Sequence, residues 1–499
     1  MPSFDVWSAM PILFPAGWGL LLLLFTPAFR EDVRWLWGCA VLGMALYLLV
    51  PGWILLEIGD LGDLRETAGL TGLPMIRTDR LSLWLDLIFA AAGLGTLLLL
   101  PQHLDRARAH RPEVYPLIFF AVSGMAVMVG TENLIMVFLG LEVLSIPLYI
   151  LTGLIREKPA STEAALKYFL LGAFSTAFLV YGLALILGAT GRLDLPGIAG
   201  ALGVGERLAP YGSLMLLAGM ALVLVGFAFK IGAVPFHVWA PDVYQGAPTP
   251  ITGFMAVGVK AAAFGVLLRL LHVGFAGPAD VVARWTLALS VLAVATMIVG
   301  NLMALVQQRV KRLLAFSSIS HAGYLVLALI APLPVGAANL VFYLVAYGFM
   351  TLGAFAVVSL FQDGDEDADH IDHFAGLWRR RPVLAVVMGV FLLSLTGIPP
   401  LGGFTGKYVI FMAALDSGHP VLAAVMAIAA VIGAAYYLKI IVAMFLREPE
   451  GDLSTEIRIP VAAGLVLAVA VLGTVALGVA PSVVLDPLRE IQSAFVPLP

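Results

Sequence analysis

The stretch Gly226-Phe-Ala-Phe-Lys230-Ile-Gly-Ala-Val-Pro235-Phe-His237 lies inside a long apolar run, residues 210–246. Proline removes a backbone donor and clashes with the preceding turn, and glycine loosens a helix. A helix must break there. A second apolar run, 382–416, carries the same kind of interruption: Thr396-Gly-Ile-Pro-Pro400-Leu-Gly-Gly-Phe-Thr-Gly406-Lys407. Each break has a lysine close by. Broken backbone at membrane depth is tolerated only inside protein or beside water. Paired interrupted helices in corresponding places point to a transport site.

Outward from these breaks the pattern repeats. At about 20 apolar residues per span, the chain reads as about fourteen. Their limits are 8–28, 33–55, 79–100, 114–130, 132–155, 161–189, 210–246, 249–274, 282–305, 312–332, 335–361, 382–416, 419–446 and 458–480. The broken runs are the seventh and twelfth. An odd offset reverses direction across the membrane, so spans four to eight and nine to thirteen would form two inverted five-helix repeats. The lysines fall on opposite sides of their prolines, so the repeat is approximate. The expected fold is an all-α polytopic membrane protein. It has N-terminal helices in 1–113, repeats in 114–274 and 275–447, and a C-terminal helix in 448–499.

Composition agrees. Of 499 residues, 61% are hydrophobic and 12% charged, against about 25% charged in soluble proteins. Hydrocarbon cannot solvate charge, which explains the deficit. The net charge of −4 includes no basic patch for nucleic acid. Cys39 is the only cysteine, which excludes an intrachain disulfide and a Cys-ligated cluster. The first apolar run lacks the basic flank of a signal peptide and is expected to stay as a span. Arginine and lysine set the orientation. With the N-terminus outside, inward loops hold Arg156, Lys158, Arg309, Lys311, Arg312 and Arg379 to Arg381, among others. Outward segments hold fewer, including Arg77, Arg192 and Arg269. Both termini are therefore expected outside.

The buried charges carry the chemistry. Of seven lysines, Lys158 and Lys311 sit in inward loops, and Lys167, Lys230, Lys260, Lys407 and Lys439 fall within spans. Arginine keeps to loops and span ends. Lysine can lose its proton when desolvated and arginine effectively cannot, so the split favours proton carriers. Each mid-span charge costs about 2.5–3.5 kcal/mol on insertion scales. Lys167 and Lys439 lie close enough to span ends to snorkel or form structural ion pairs, with a functional role equally open, and Lys167 is a candidate relay. Lys230, Lys260 and Lys407 are central. Glu142 is the one acid deep in a span, and Lys230 is its natural partner, the two titrating as a coupled system. Asp86 and Glu163 lie nearer span entrances. His321 follows the polar Ser317-Ser318-Ile-Ser320 and is a candidate relay, as is His237 beyond the first break. The acidic stretch 363–372 lacks EF-hand spacing and reads as a solvated inward loop. Gly406-Lys407 lacks the rest of a phosphate loop. Nothing reads as a site for NADH, flavin or ATP.

These residues carry a resemblance over nearly the whole chain. Leu141-Glu142-Val-Leu-Ser-Ile-Pro-Leu-Tyr149, Ser161-Thr-Glu-Ala-Ala-Leu-Lys167 and Lys311-Arg-Leu-Leu-Ala-Phe-Ser-Ser-Ile-Ser-His321 are three of its segments. The most specific is Pro235-Phe-His-Val-Trp-Ala-Pro-Asp-Val-Tyr-Gln-Gly-Ala-Pro-Thr-Pro250. The chain resembles the antiporter-like subunits of respiratory complex I, the NADH-quinone oxidoreductase, and its N type rather than L or M. The resemblance implies a proton-channel subunit of the membrane arm. Glu142 and Lys230 would serve its first half-channel, Lys260 and His321 a hydrated central axis, and Lys407 the second half-channel. It gives Lys439 no role. NADH, FMN, iron–sulfur clusters and quinone would belong to partner subunits. Those partners would include subunit M and the small membrane subunits, in a bacterial inner membrane. A subunit of an Mrp-type Na+/H+ antiporter shares this fold and is the alternative.

Overall fold

The computed structural model describes residues 6–28, 33–57, 67–68, 74–107, 109, 111–203, 212–363, 366–367, 369–448 and 459–495. Helices α1 (Val6–Phe25), α2 (Val33–Glu57), α3 (Arg80–Arg106), α4 (Val114–Val129), α5 (Leu134–Thr152) and α6 (Pro159–Thr190) come first. Then follow α7 (Leu195–Gly203), α8 (Gly212–Ile231), α9 (Trp239–Gly246) and the continuous α10 (Thr249–Gly274). The rest are α11 (Ala279–Leu305), α12 (Val310–Ile330), α13 (Val335–Ser359), α14 (Pro382–Thr396), α15 (Gly402–Asp416), α16 (Pro420–Leu446), α17 (Val461–Val479) and α18 (Ser482–Arg489). Two short antiparallel strand pairs, at 67–76 and 362–367, are the only sheet among the described residues.

Among the described residues, eleven helices are long and apolar enough to cross a membrane, and α1, α4 and α14 are shorter apolar helices. The chain is an all-α, multi-pass membrane protein. Helices suit this setting because they satisfy their own backbone groups where no water can. The layering is inverted relative to a soluble bundle. Outer helices turn Leu24, Leu56, Leu214, Leu287, Val431 and Leu472 outward as exposed apolar side chains. The polar and charged residues gather inside, on α10, α12 and α13. Apart from Arg312, every residue of α12 is buried.

Each long broken run resolves into two helices with a defined end between them. Helix α8 stops at Gly232, whose φ of 70° is left-handed. Its N–H donates to Phe229 C=O at 3.0 Å, and that of Ala233 to Ala228 C=O at 2.8 Å. Helix α14 stops at Gly397, with φ 94°. There Gly397 N–H donates to Ser394 C=O and Ile398 N–H to Leu393 C=O, both at 3.0 Å. Both ends are Schellman motifs, and glycine supplies the backbone angle that they require. The run expected at 190–209 as a plain junction contains α7, whose start is capped by Asp194, Gly197 N–H donating to its carboxylate at 2.9 Å.

Candidate functional site

The first break places Lys230 in the last turn of α8, where the helix dipole favours a cation. Its side chain is buried, and its ammonium donates to Ser145 Oγ of α5 at 2.7 Å. The ring centroids of Tyr149 and Tyr168 lie 5.7 and 5.6 Å from Nζ. Glu142 stands one turn before Ser145 on α5 and accepts from Thr176 Oγ1 of α6 at 2.9 Å. Contrary to the direct pairing expected, Glu142 and Lys230 form no ion pair within 4.0 Å. Lys230 holds Ser145 instead, and Glu142 holds Thr176. Glu142 is also only half-buried, because α5 turns Leu139, Val143 and Ile146 outward around it.

The central axis is a run of polar clusters joined by ring contacts. Lys260, on α10, donates to both the hydroxyl and the carbonyl of Ser318 on α12. The Tyr347 hydroxyl donates to the same Ser318 Oγ at 2.8 Å, and its ring centroid is 5.6 Å from Lys260 Nζ. One turn along α12, His321 lies 5.2 Å from the Tyr347 ring and 5.5 Å from that of Tyr324, between centroids. Its two nitrogens face different tyrosines: Nδ1 is 2.6 Å from Tyr343 Oη and Nε2 3.2 Å from Tyr437 Oη. A neutral imidazole donates through one nitrogen and accepts through the other, so exchange of tautomers carries a proton across the ring. Asn301 extends the array, donating to Ser320 Oγ at 2.6 Å and accepting from Tyr436 Oη at 2.9 Å.

Lys407 closes the axis at the second break. Its Nζ is 5.1 Å from the Tyr324 ring centroid, so Tyr324 touches both His321 and Lys407. The ammonium donates to Leu395 C=O at 2.7 Å and Thr396 C=O at 2.9 Å, the last carbonyls of α14. The lysine on α15 thus caps the helix that the break ends. A Cβ on Gly397 would sit 3.1 Å from Lys407 Cδ. Gly397→Ala is therefore expected to cost about 1–2 kcal/mol for a left-handed residue and to displace Lys407. Thermal unfolding of the purified assembly checks the first effect. An unchanged melting temperature would count against the strain.

Other expected groups fall outside this array. Lys167 is 40% exposed and paired with Glu163 and Asp242, each at 2.7 Å, and Asp242 also takes Arg312 at 2.7 Å. It belongs to a partly exposed ion cluster with Glu163, Asp242 and Arg312. His237 is half-buried past the first break, its Nδ1 unpaired. Lys439 snorkels to the Gln307 C=O at 3.1 Å, just past the end of α11. Four readings are corrected. Lys311 is buried in the first turn of α12, donating to Ala247 C=O at 2.6 Å, rather than lying in a loop. Asp369 of the acidic stretch is also buried, accepting from Gln245 Nε2 at 2.8 Å. Asp86 is a second deep acid, buried on α3 against Tyr47. Arg269 is buried within α10, where its Nη2 is 2.7 Å from Asp79 and its Nη1 3.8 Å from Glu132. Arg77 completes that cluster at 2.6 Å from Glu132. Partners distant in sequence, such as Asp79 for Arg269, admit a charge that periodicity alone keeps at a span end.

A lateral cavity of ≈ 620 Å³ between α3, α13 and α17 is lined by Trp84, Gly348, Phe349, Val469, Gly473 and other apolar residues. None of the charged groups opens into it, so it is no part of the array. Residues 131–433, which span the array from Glu142 to Lys407, match the family described as NADH:quinone oxidoreductase/Mrp antiporter, TM. NADH-quinone oxidoreductase subunit N 2 of Roseiflexus castenholzii is 43% identical, covering 98% of this chain and 97% of its own length. The solved respiratory complex I from Thermus thermophilus with bound Aureothin contains a chain 36% identical, with a TM-score of 0.79, covering 96% of this chain and 99% of that one. A chain of the Mrp complex from Dietzia sp. DQ12-45-1b shares the fold, with a TM-score of 0.85 at 22% identity, covering 98% and 97%. The chain belongs to the NADH:quinone oxidoreductase/Mrp antiporter transmembrane family, and within it to the subunit N group.

Proposed function

We propose that this chain is the proton-translocating, antiporter-like subunit N of a bacterial NADH-quinone oxidoreductase. Quinone reduction elsewhere in the complex drives proton transfer through its buried acid and lysines. One observation carries the reading: Lys260, Tyr347, His321, Tyr324 and Lys407 touch in sequence inside the membrane, with lysines at both helix breaks. Moving one charge against about 100 mV costs about 2.3 kcal/mol, equivalent to a swing of about two pKa units. Carriers that exchange a serine hydroxyl or a carbonyl for water can supply it.

Supporting the two inverted repeats, α8 and α14 end in the same motif, and close backbone contacts recur at corresponding helix pairs. A Cβ on Gly140 would lie 2.9 Å from Gly124 C=O, between α5 and α4, and one on Gly300 2.7 Å from Ser320 N, between α11 and α12. Subunit M, the small membrane subunits and lipid are the partners, in the inner membrane with both termini outside. NADH, FMN, iron–sulfur clusters and quinone belong to other subunits, consistent with a single cysteine here. Lys230→Met in the reconstituted complex should leave assembly and NADH oxidation intact and lower the number of protons moved per electron. Normal stoichiometry in that variant would sink the assignment. The Mrp-type alternative shares the fold and the family, whereas the 43% identical relative carries the subunit N name.

A further inference from the structure

The lateral cavity of ≈ 620 Å³ takes no part in the proton path, yet it has a definite shape. Its lining on α3 extends from Trp84 to Leu98, and on α17 and just beyond from Leu465 to Ala480. At 1.5 Å per residue, each wall is about 21–22 Å long. The two walls are antiparallel. Arg80, at the start of α3, pairs with Glu490, which follows α18, and a Cβ on Gly95 would lie 3.9 Å from Val466 Cγ1. Helix α13 closes the back with Gly348 and Phe349. Ala91 and Val469, on the two walls, are exposed, so the cavity opens sideways onto the hydrocarbon.

The lining selects the occupant. Trp84 is its one side chain able to hydrogen-bond. A water needs two to four polar partners and finds none along the rest of the wall. A quinone ring brings two carbonyls, and most of the cavity offers them no donor. A hydrocarbon chain needs no partner. The hydrocarbon of one leaflet is about 15 Å deep, so the cavity is long enough for a whole chain. Its two ends differ. Trp84 marks one, together with Val483 of α18. Arg489, the last residue of α18, is 75% exposed, and its contact with Asp486 is a long 3.5 Å. Indole and cation together mark a membrane interface, and a guanidinium suits a phosphodiester. The other end, at Leu98 and Leu465, is apolar throughout.

We propose that this cavity binds one acyl chain of a membrane phospholipid, with the headgroup beside Trp84 and Arg489 and the methyl end towards Leu98. The inference rests on the multi-pass membrane fold and not on the pumping function proposed above. The chain lies against the backs of two helices of the array. Gly348 follows Tyr347 on α13, and Val257 precedes Lys260 by three residues on α10. A Cβ on Gly348 would sit 3.4 Å from Val257 Cγ1. Helix α10 is widened at that point, where Met255–Val259 is a π-helical turn. The lipid chain therefore packs behind the turn that leads into Lys260.

The test uses the assembled complex in proteoliposomes that contain a small fraction of a phospholipid with a diazirine in one acyl chain. After photolysis, labelled residues are mapped by peptide mass spectrometry. A diazirine close to the headgroup should label the Trp84 and Val483 end. One close to the terminal methyl should label the Leu98 and Leu465 end. Gly95→Leu combined with Ala91→Phe fills the cavity, since only Val466 comes within 4 Å of a Cβ on Gly95. In that variant labelling of the lining should fall to background. Labelling of the outward Leu287 and Val431 should stay unchanged. Lining labelled no more than these outward residues, or labelled equally in the filled variant, means boundary lipid only and overturns the site. An unlabelled lining means that a neighbouring subunit covers the cavity, and overturns it too. Labelling by a diazirine-bearing quinone in place of the phospholipid overturns the ligand class. If the filled variant does not assemble, the wild-type depth pattern decides, and labelling independent of diazirine position overturns the proposal.

Discussion

Lys407→Met is expected to abolish proton transfer through this chain. The ammonium is the end of the array, reached through Tyr324, and methionine keeps the stem but cannot carry a proton. The same change removes the donors to Leu395 and Thr396 C=O. The Schellman bonds of this end use Leu393 and Ser394 C=O, so those two carbonyls have no substitute partner on α14. Each buried carbonyl left without a partner costs about 1–3 kcal/mol. A loss of pumping in Lys407→Met alone could therefore reflect a loosened break. Lys407→Arg resolves this. Arginine can donate to both carbonyls, and its guanidinium effectively never deprotonates. The expected result is a wild-type melting temperature with pumping absent. Proton-to-electron stoichiometry in proteoliposomes reads the one and thermal unfolding the other. If Lys407→Arg pumps at the wild-type rate, position 407 needs only a charge and is no carrier.

The sequence carried most of the fold because hydropathy and breaker residues are local signals. Gly232, Pro235 and Gly397 located both breaks, and the scarcity of lysine singled out Lys230, Lys260 and Lys407. The serines before His321 marked the polar face of α12. The tyrosines were not legible. Tyr343, Tyr347 and Tyr437 are ordinary members of apolar helices until folding turns their hydroxyls onto Ser317, Ser318 and His321. Position along a span misled for Lys311, and for Lys167 it left an ion pair and a relay both open. Lys167 sits well inside its helix yet reaches Asp242 across an exposed face, whereas Lys311 opens a helix and is buried by the turn at Ala247. Both outcomes depend on which neighbour covers the residue, and periodicity does not encode that.

Arg269→Leu is expected to be the most destabilising single change. The guanidinium is 1% exposed, nine positions along α10 from Lys260, at the end where α3, α4 and α5 meet. It donates to Val129 C=O at 3.0 Å as well as to Asp79 at 2.7 Å. Asp79 in turn caps α3, accepting from Ser82 N–H at 3.0 Å. Arg77 and Arg269 balance Asp79 and Glu132, so the cluster is neutral as a whole. Leucine matches the apolar surroundings but strands one carboxylate. Breaking a buried ion pair from one side costs about 3–5 kcal/mol. Assembly should fall steeply in Arg269→Leu, read as the amount of chain in the purified complex. Adding Asp79→Asn should restore a large part of it, because asparagine still caps a helix and the Arg77–Glu132 pair is left neutral. No rescue by the second change would show that the stranded carboxylate is not the cause, and wild-type assembly in Arg269→Leu that α10 is held by its apolar contacts alone. Lys260 would then be positioned by Ser318 and Tyr347 without an anchor at the far end of its helix.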